Sequence, residues 1–308
     1  MADGETAPMS TAAAPGSPAP FPAAPTDWEL LRTEGLGPFV TRAVYRRPDG
    51  VEVEWTSRRH RKGQGLRLLS APSTSAAAAV RRSAVPRRTW WIAGLFAVGS
   101  LCFAVGALPA YFDRVSARVD GVTFFVGSIF FTCASYLCFV EAVGSPGAIE
   151  DRPVRHLHFR VATWRPRSID WWATGIQLVG TLYFNVMTFR ALHGSWTTSQ
   201  EDKLVWRPDV IGSICFLIAS YLAWAEVCHS VGRLRIRDLS WWIAVLNLLG
   251  SIFFGVSAIG AYVDPGTGDV TNLRWDNGGT VLGALCFLVA AVMLIPEARA
   301  ATTPEPSG

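Results

Sequence analysis

The chain has 308 residues, half of them apolar, and a formal net charge of only +4. Its apolar residues are concentrated in six stretches, roughly 90–112, 121–143, 171–192, 209–231, 241–263 and 276–296. Each reaches the ~20 residues that cross a hydrocarbon core of about 30 Å as a helix, which excludes an ordinary soluble core.

Residues 1–38 read as a disordered tail, Ala/Pro/Ser/Thr-rich over the first 26 and too poor in apolar side chains to offset ordering. The tail carries no apolar signal region, so the first span is expected to serve as an uncleaved insertion signal. Residues 39–62 read as a basic β-hairpin segment. Val51, Val53 and Trp55 alternate with Glu52 and Glu54, and Arg47-Pro48-Asp49-Gly50 is a turn signature between that run and Val40 to Tyr45. The hairpin is followed by Arg58, Arg59, His60, Arg61 and Lys62, a cationic run suited to anionic lipid headgroups. Residues 63–87 form an Ala/Ser-rich linker into the first span.

The remainder is built by repetition. A double tryptophan opens every odd span, at Trp90-Trp91, Trp171-Trp172 and Trp241-Trp242. Nine residues after the first Trp comes Gly99, Gly180 or Gly250, each followed by Ser or Thr, and then Phe103, Phe184 or Phe254 in a matched slot. The even spans carry Gly127-Ser128-Ile129-Phe130-Phe131, Gly212-Ser213-Ile214-Cys215-Phe216 and Gly283-Ala284-Leu285-Cys286-Phe287. Fourteen residues after each of those glycines stands Glu141, Glu226 or Glu297. Matches at this many fixed offsets define three copies of one helix pair. The fold class is therefore an all-α membrane protein, six transmembrane helices arranged as three two-helix repeats behind a tail with a small hairpin.

This pattern resembles the YrhK-like domain family of small bacterial membrane proteins, in which a helix pair carries Gly-Ser followed by aromatic residues. The resemblance covers 88–145, 168–231 and 238–299 as tandem copies, with residues 300–308 a second disordered tail. It implies membrane location and paired helices and brings no activity with it. The use of 26 Arg against 2 Lys is in keeping with a bacterial source.

Orientation follows from the cations. Twenty-two Lys and Arg flank the spans on the side of the termini and five on the other side, with Arg190 inside a helix end. By the positive-inside rule both termini are cytoplasmic, and the chain is expected as a multi-pass protein of the bacterial cytoplasmic membrane. The double tryptophans then lie at the inner boundary as interface anchors.

Glycines 99, 127, 180, 212, 250 and 283 are read as helix-packing positions, where the missing side chain lets backbones approach. Fourteen residues are about 21 Å of helix and roughly 40° short of four turns, so each Glu shares the glycine-bearing seam near the inner boundary. A carboxylate at a helix C-terminus opposes the helix dipole. Each is therefore expected to have a donor, from Arg152 or Arg155, Arg233 or Arg235, Arg299, or a nearby indole. The intramembrane amides Gln177, Asn247 and Asn185 complete the candidate polar seam and most simply hydrogen-bond between helices. Asp120, Asp209 and Asp276 precede the even spans on the outer side as N-caps. All six cysteines fall within spans, which argues against a disulfide framework.

No nucleophile elbow, phosphate-binding loop, dinucleotide fingerprint or HExxH motif occurs. His156 and His158 lack further ligands for a metal. No catalytic, cofactor-binding or metal residue is assigned, and no nucleic acid is expected as a partner. The chain reads as a structural or scaffolding membrane protein. Two alternatives stay open: a weak ion channel or transporter with Glu141, Glu226 and Glu297 at its inner mouth, and a lipid or partner sensor formed by the N-terminal segment. The oligomeric state is left open.

Overall fold

The computed structural model describes residues 23–69, 85–145, 148–149, 164–193, 196–229, 234–264 and 266–300. The expected tail over 1–22, most of the linker, His156, His158 and the tail beyond 300 lie outside them.

The hairpin forms where the alternation placed it and is the centre of a larger sheet. Strand β2 (Phe39–Arg46) pairs antiparallel with β3 (Glu52–Thr56). Their turn closes through the Gly50 amide donating to the Arg47 carbonyl at 2.9 Å, with Gly50 at φ 80°. β1 (Glu29–Leu36) extends the sheet on one side and the two-residue β4 (Arg67–Leu68) on the other, in the order β1-β2-β3-β4. The expected boundaries are thus corrected at both ends, since β1 lies in the segment read as a tail and β4 in the linker. Pairing supplies the reason: a lone hairpin is marginal in water, and added strands cover its edges. Ala43, Tyr45, Val53 and Trp55 form the sheet's core together with Ile149, from the connection that follows the second long helix. The opposite face is a lattice of ion pairs, including Arg42 to Glu34 and Glu54 and Arg46 to Glu29 and Glu52.

After β3 the chain turns directly into α1 (Ser57–Arg61), a single helical turn and a half. Six long helices follow: α2 (Arg87–Gly106), α4 (Ala117–Val143), α5 (Ile169–His193), α7 (Arg207–Cys228), α8 (Leu239–Gly260) and α9 (Leu273–Ala300). The short α3 (Pro109–Phe112) precedes α4, and α6 (Thr198–Glu201) runs through a π-helical turn into α7. Five stretches, α2, α4, the run from α6 through α7, α8 and α9, are long and apolar enough to cross a membrane. That is consistent with an integral membrane protein. α5 is of similar length but carries Asp170, Gln177, Asn185 and Arg190, and it falls outside that group.

The six long helices close on themselves. Each packs on its neighbour in the order α2, α4, α5, α7, α8, α9, and α9 packs back on α2. The glycines picked out above meet in pairs at close approaches. A Cβ on Gly127 would stand 3.2 Å from the Gly99 carbonyl oxygen, and one on Gly212 would stand 3.2 Å from that of Gly180. On Gly283 it would stand 2.9 Å from the Gly250 oxygen and 2.5 Å from the Phe254 ring.

The axis of the ring is filled by aromatic rings. Phe103, Phe184 and Phe254, from α2, α5 and α8, form a triangle with centroids 5.7 to 6.4 Å apart. Phe131, Phe216 and Phe287, from the other three helices, form a second triangle at 5.9 to 6.4 Å. The layers stack at 5.6, 5.1 and 5.6 Å between members of each glycine-bearing pair. The cavity left among them is about 10 Å³, room for about one water. Neighbouring helices are stitched by small polar contacts: Ser128 to Thr188 at 3.0 Å, Ser220 to Ser251 at 2.6 Å and Ser257 to Thr280 at 2.7 Å.

The outer aspartates are not caps. The Val119 amide donates to Ser116 Oγ at 3.4 Å, and the Arg274 amide to Asn272 Oδ1 at 3.1 Å, so Ser116 and Asn272 sit where the chain enters α4 and α9. Asp276 lies a turn further in and accepts from Ser257 Oγ at 3.0 Å, while α6 and the π turn carry the helical run back past Asp209.

The glycine contacts yield a direct test. Gly283→Val, whose added atoms meet Phe254 and the Gly250 carbonyl, is expected to lower stability in detergent by about 1–3 kcal/mol, the usual range for overpacking. Gly94→Ala, at a helical position with nothing within 4 Å of the added carbon, is expected to be neutral or slightly stabilising. Thermal unfolding of the two variants side by side checks both.

Candidate functional site: the charged mouth of the bundle

On the sheet side, the ends of α7 and α9 and the start of α5 bring three carboxylates together around the axis. They are Glu226, Glu297 and Asp170, all buried. α1 lies over them. Its Arg58, Arg61 and Lys62 fall at positions i, i+3 and i+4, one face of a helical turn, and that face points into the mouth. Arg58 Nε donates to Glu297 Oε1 at 2.8 Å, and Lys62 Nζ pairs with the other oxygen of the same carboxylate. Arg61 spans two helices, reaching Glu226 Oε2 at 3.4 Å and Asp170 Oδ2 at 3.8 Å. Hydroxyls fill part of the remaining acceptor capacity. Ser57 Oγ donates to Glu226 at 2.7 Å and Ser240 Oγ, at the start of α8, to Glu297 at 2.5 Å.

Burial works against the charge of Arg61, but Glu226 and Asp170 more than offset it and raise its pKa. Arg58 is raised in the same way, chiefly by Glu297. Lys62 moves the other way: burial, with Arg58 beside it, lowers its pKa despite Glu297.

A second contact ties the sheet to the bundle. α7 ends at His229, in the left-handed conformation at φ 55°, and its Nδ1 lies 3.1 Å from Thr41 Oγ1 on β2. Burial, with Arg235 and Arg42 nearby, pulls the His229 pKa down to about 4. A parallel bridge from Ala23 to Ala148 closes the other edge of the docked unit.

The sequence-predicted residues divide clearly. Glu226 and Glu297 lie together at the mouth, a convergence the sequence left open, and Glu141 stands near enough to act electrostatically on Arg61 and Lys62. Among the described residues, the cations on Glu226 and Glu297 are Arg58, Arg61 and Lys62. Arg235 turns to the Val227 carbonyl and Asp238, and Arg299 lies over the Trp90 ring. Arg152, Arg155 and Arg233 lie outside the described residues. The carboxylates of Glu226, Glu297 and Asp170 lie under α1, whose cations reach them from above the mouth. The run expected at lipid headgroups is redirected accordingly, with Arg58, Arg61 and Lys62 facing inward and Arg59 donating to the Gln64 carbonyl.

The amides do not join this cluster by any hydrogen bond among the described residues. Asn185 donates to Thr132 on α4 at 2.9 Å, the interhelical role expected of it, whereas Asn247 donates to its own helix at Ile243. Gln177 lies half-buried on α5. Asp170 and Ser57 were missed by sequence reasoning. The legible signals were an acidic residue directly before the second double tryptophan and the i, i+3, i+4 spacing of the cations.

Among the described residues no group of three His, Cys, Asp or Glu side chains is arranged to hold a metal ion. No family model matches the chain, and neither the curated proteins nor the solved structures contain a match.

Two outcomes follow. Glu297→Gln leaves Arg58 and Lys62 facing a neutral amide. It is expected to weaken docking of residues 23–69 by about 3–5 kcal/mol, as for one lost partner of a buried pair, read as faster proteolytic cleavage within 63–69. Glu141→Gln is expected to have a much smaller effect. The second outcome concerns pH. Because the folded His229 pKa of about 4 lies below its ordinary value of about 6.5, the released state binds more protons between them. Its contribution to docking is full above about pH 6.5 and falls as pH drops toward 4. His229→Gln is expected to flatten the proteolysis profile between pH 6.5 and 5.

Proposed function

We propose that the chain is a non-enzymatic scaffold of the bacterial cytoplasmic membrane. It comprises three tandem YrhK-like helix pairs whose six helices all cross the bilayer, with the N-terminal sheet docked on the cytoplasmic side. The reading is carried by one observation: the axis that a channel would need is filled. Two layers of three phenylalanines occupy it, and the chain's own Arg58, Arg61 and Lys62 sit on the carboxylates of the mouth. Rings of carboxylates serve ion pathways when they face water, and here they face guanidinium and ammonium groups instead. Inclusion of α5 among the spans is supported by its place in the closed ring, between α4 and α7. The arginine excess at the sheet end supports the cytoplasmic assignment.

Reporter fusions at Gly147, Gly194 and Gly266 are expected to read inside, outside and outside. An inside reading at Gly194 would remove α5 from the spans. In proteoliposomes, wild-type protein is expected to give no cation flux above empty vesicles. Flux that disappears on replacing Glu226 and Glu297 by Gln, in protein that still assembles, would overturn the scaffold reading in favour of a channel.

A further inference from the structure

With Arg58, Arg61 and Lys62 committed to the mouth, the cations that meet the membrane must lie elsewhere, and two turns on the sheet side stand out. Trp164-Arg165-Pro166-Arg167-Ser168 leads toward α5, and Leu234-Arg235-Ile236-Arg237-Asp238 leads into α8. The two are built alike. The Ser168 amide donates to the Arg165 carbonyl at 3.0 Å and the Asp238 amide to the Arg235 carbonyl at 2.8 Å. The second tryptophan of each pair donates its indole N–H to the carbonyl six residues earlier, Trp172 to Pro166 at 3.1 Å and Trp242 to Ile236 at 2.9 Å.

The arginines divide their roles the same way in both. The first of each pair reaches back to the end of the preceding membrane helix, Arg165 to Ser145 Oγ at 3.3 Å and Arg235 to the Val227 carbonyl at 3.1 Å. The second, Arg167 or Arg237, is exposed. Neither makes an ion pair among the described residues. Beside them the apolar side chains are exposed, Trp164 by 68%, Leu234 by 77% and Ile236 by 64%. Large exposed apolar groups, with Trp164 edge-on to Trp171 at 5.0 Å, beside a guanidinium that makes no ion pair among the described residues, match the composition of the membrane boundary. Acyl chains accept the apolar groups, and the planar guanidinium suits a phosphate bidentately.

We propose that these two turns are paired binding sites for anionic phospholipid in the leaflet on the sheet side. Arg167 and Arg237 contact the phosphates, and Trp164, Leu234 and Ile236 insert beside the acyl chains. The start of α2 is built differently, with Pro86 at its N-cap and its cations Arg87 and Arg88 inside the first helical turn, so the proposal covers the two turns before α5 and α8. This inference rests on the reading that α5 and α8 both cross the bilayer.

The test uses the full chain in nanodiscs of phosphatidylcholine with and without phosphatidylglycerol, with retained lipids counted by native mass spectrometry. Wild-type protein is expected to retain two phosphatidylglycerol molecules in preference to phosphatidylcholine. Arg167→Gln and Arg237→Gln are each expected to lower that preference about five-fold, the effect of one cation at an anionic surface, and the double variant to abolish it. Arg274→Gln, at the opposite end of the bundle, is expected to leave it intact, as should the thermal midpoint of the double variant in phosphatidylcholine alone. An unchanged preference in the double variant overturns the proposal while leaving the spanning reading in place. An equal loss with Arg274→Gln also overturns it, by showing diffuse charge attraction. Loss with Arg237→Gln alone, together with an inside reading of the reporter at Gly194, overturns the pairing and the spanning of α5 together.

Discussion

Everything in this structure depends on how closely the helices of each pair can approach. In lipid, burying apolar side chains brings no hydrophobic gain, so helices associate through van der Waals contact and a few polar links. The meetings of Gly99 with Gly127, Gly180 with Gly212 and Gly250 with Gly283 bring the two members of each pair close together. That approach brings their phenylalanines together along the axis, edge-on in the first pair and tilted in the other two. Edge-to-face and tilted aromatic contacts at these separations contribute about 0.5–1.5 kcal/mol per pair beyond their buried area. The ring closes because three such pairs supply six rings that fill one another's space. A side chain at any of the glycines would have to separate a pair and open the aromatic layers.

The charged mouth is the second constraint and works differently. Buried ion pairs add little net stability relative to apolar packing, but leaving one partner alone is costly. The carboxylates at the ends of α7 and α9 and the start of α5 therefore select what covers them. A surface of the wrong charge or spacing would leave Glu226 and Glu297 buried without donors. The i, i+3, i+4 arrangement of Arg58, Arg61 and Lys62 meets three helices at once. Ser57 and Ser240 complete the acceptors, and His229 to Thr41 adds a neutral contact at the margin. The sheet is thus held in one orientation by electrostatic complementarity, on a bundle held together by steric complementarity.

Repetition is strict where packing demands it and relaxed where it does not. The glycine and phenylalanine slots are occupied identically in all three pairs because each ring must meet two others in its own layer. The residue before the double tryptophan is Thr89, Asp170 or Ser240, and only Asp170 adds a carboxylate to the mouth. That asymmetry gives Arg61 a second anion and fixes where α1 sits around an otherwise three-fold opening.

The sequence by itself determined the local structure and the packing unit. The alternation of Val51, Val53 and Trp55 and the turn at Gly50 made β2 and β3 legible, because strand period and turn chemistry act over neighbouring residues. The matched Gly and Phe slots made the helix pairs legible, because one contact was written three times at the same offsets. β1 was not legible, since its register against β2 carries two irregularities, one between Leu30 and Arg32 and one between Glu34 and Gly35, which break the period. The assignment of each cation to its carboxylate was decided only in three dimensions. Arg58 meets Glu297 across 239 residues and Ser57 meets Glu226 across 169. Charge reveals that such groups need partners, but only the folded ring brings the ends of distant helices to one axis, under α1.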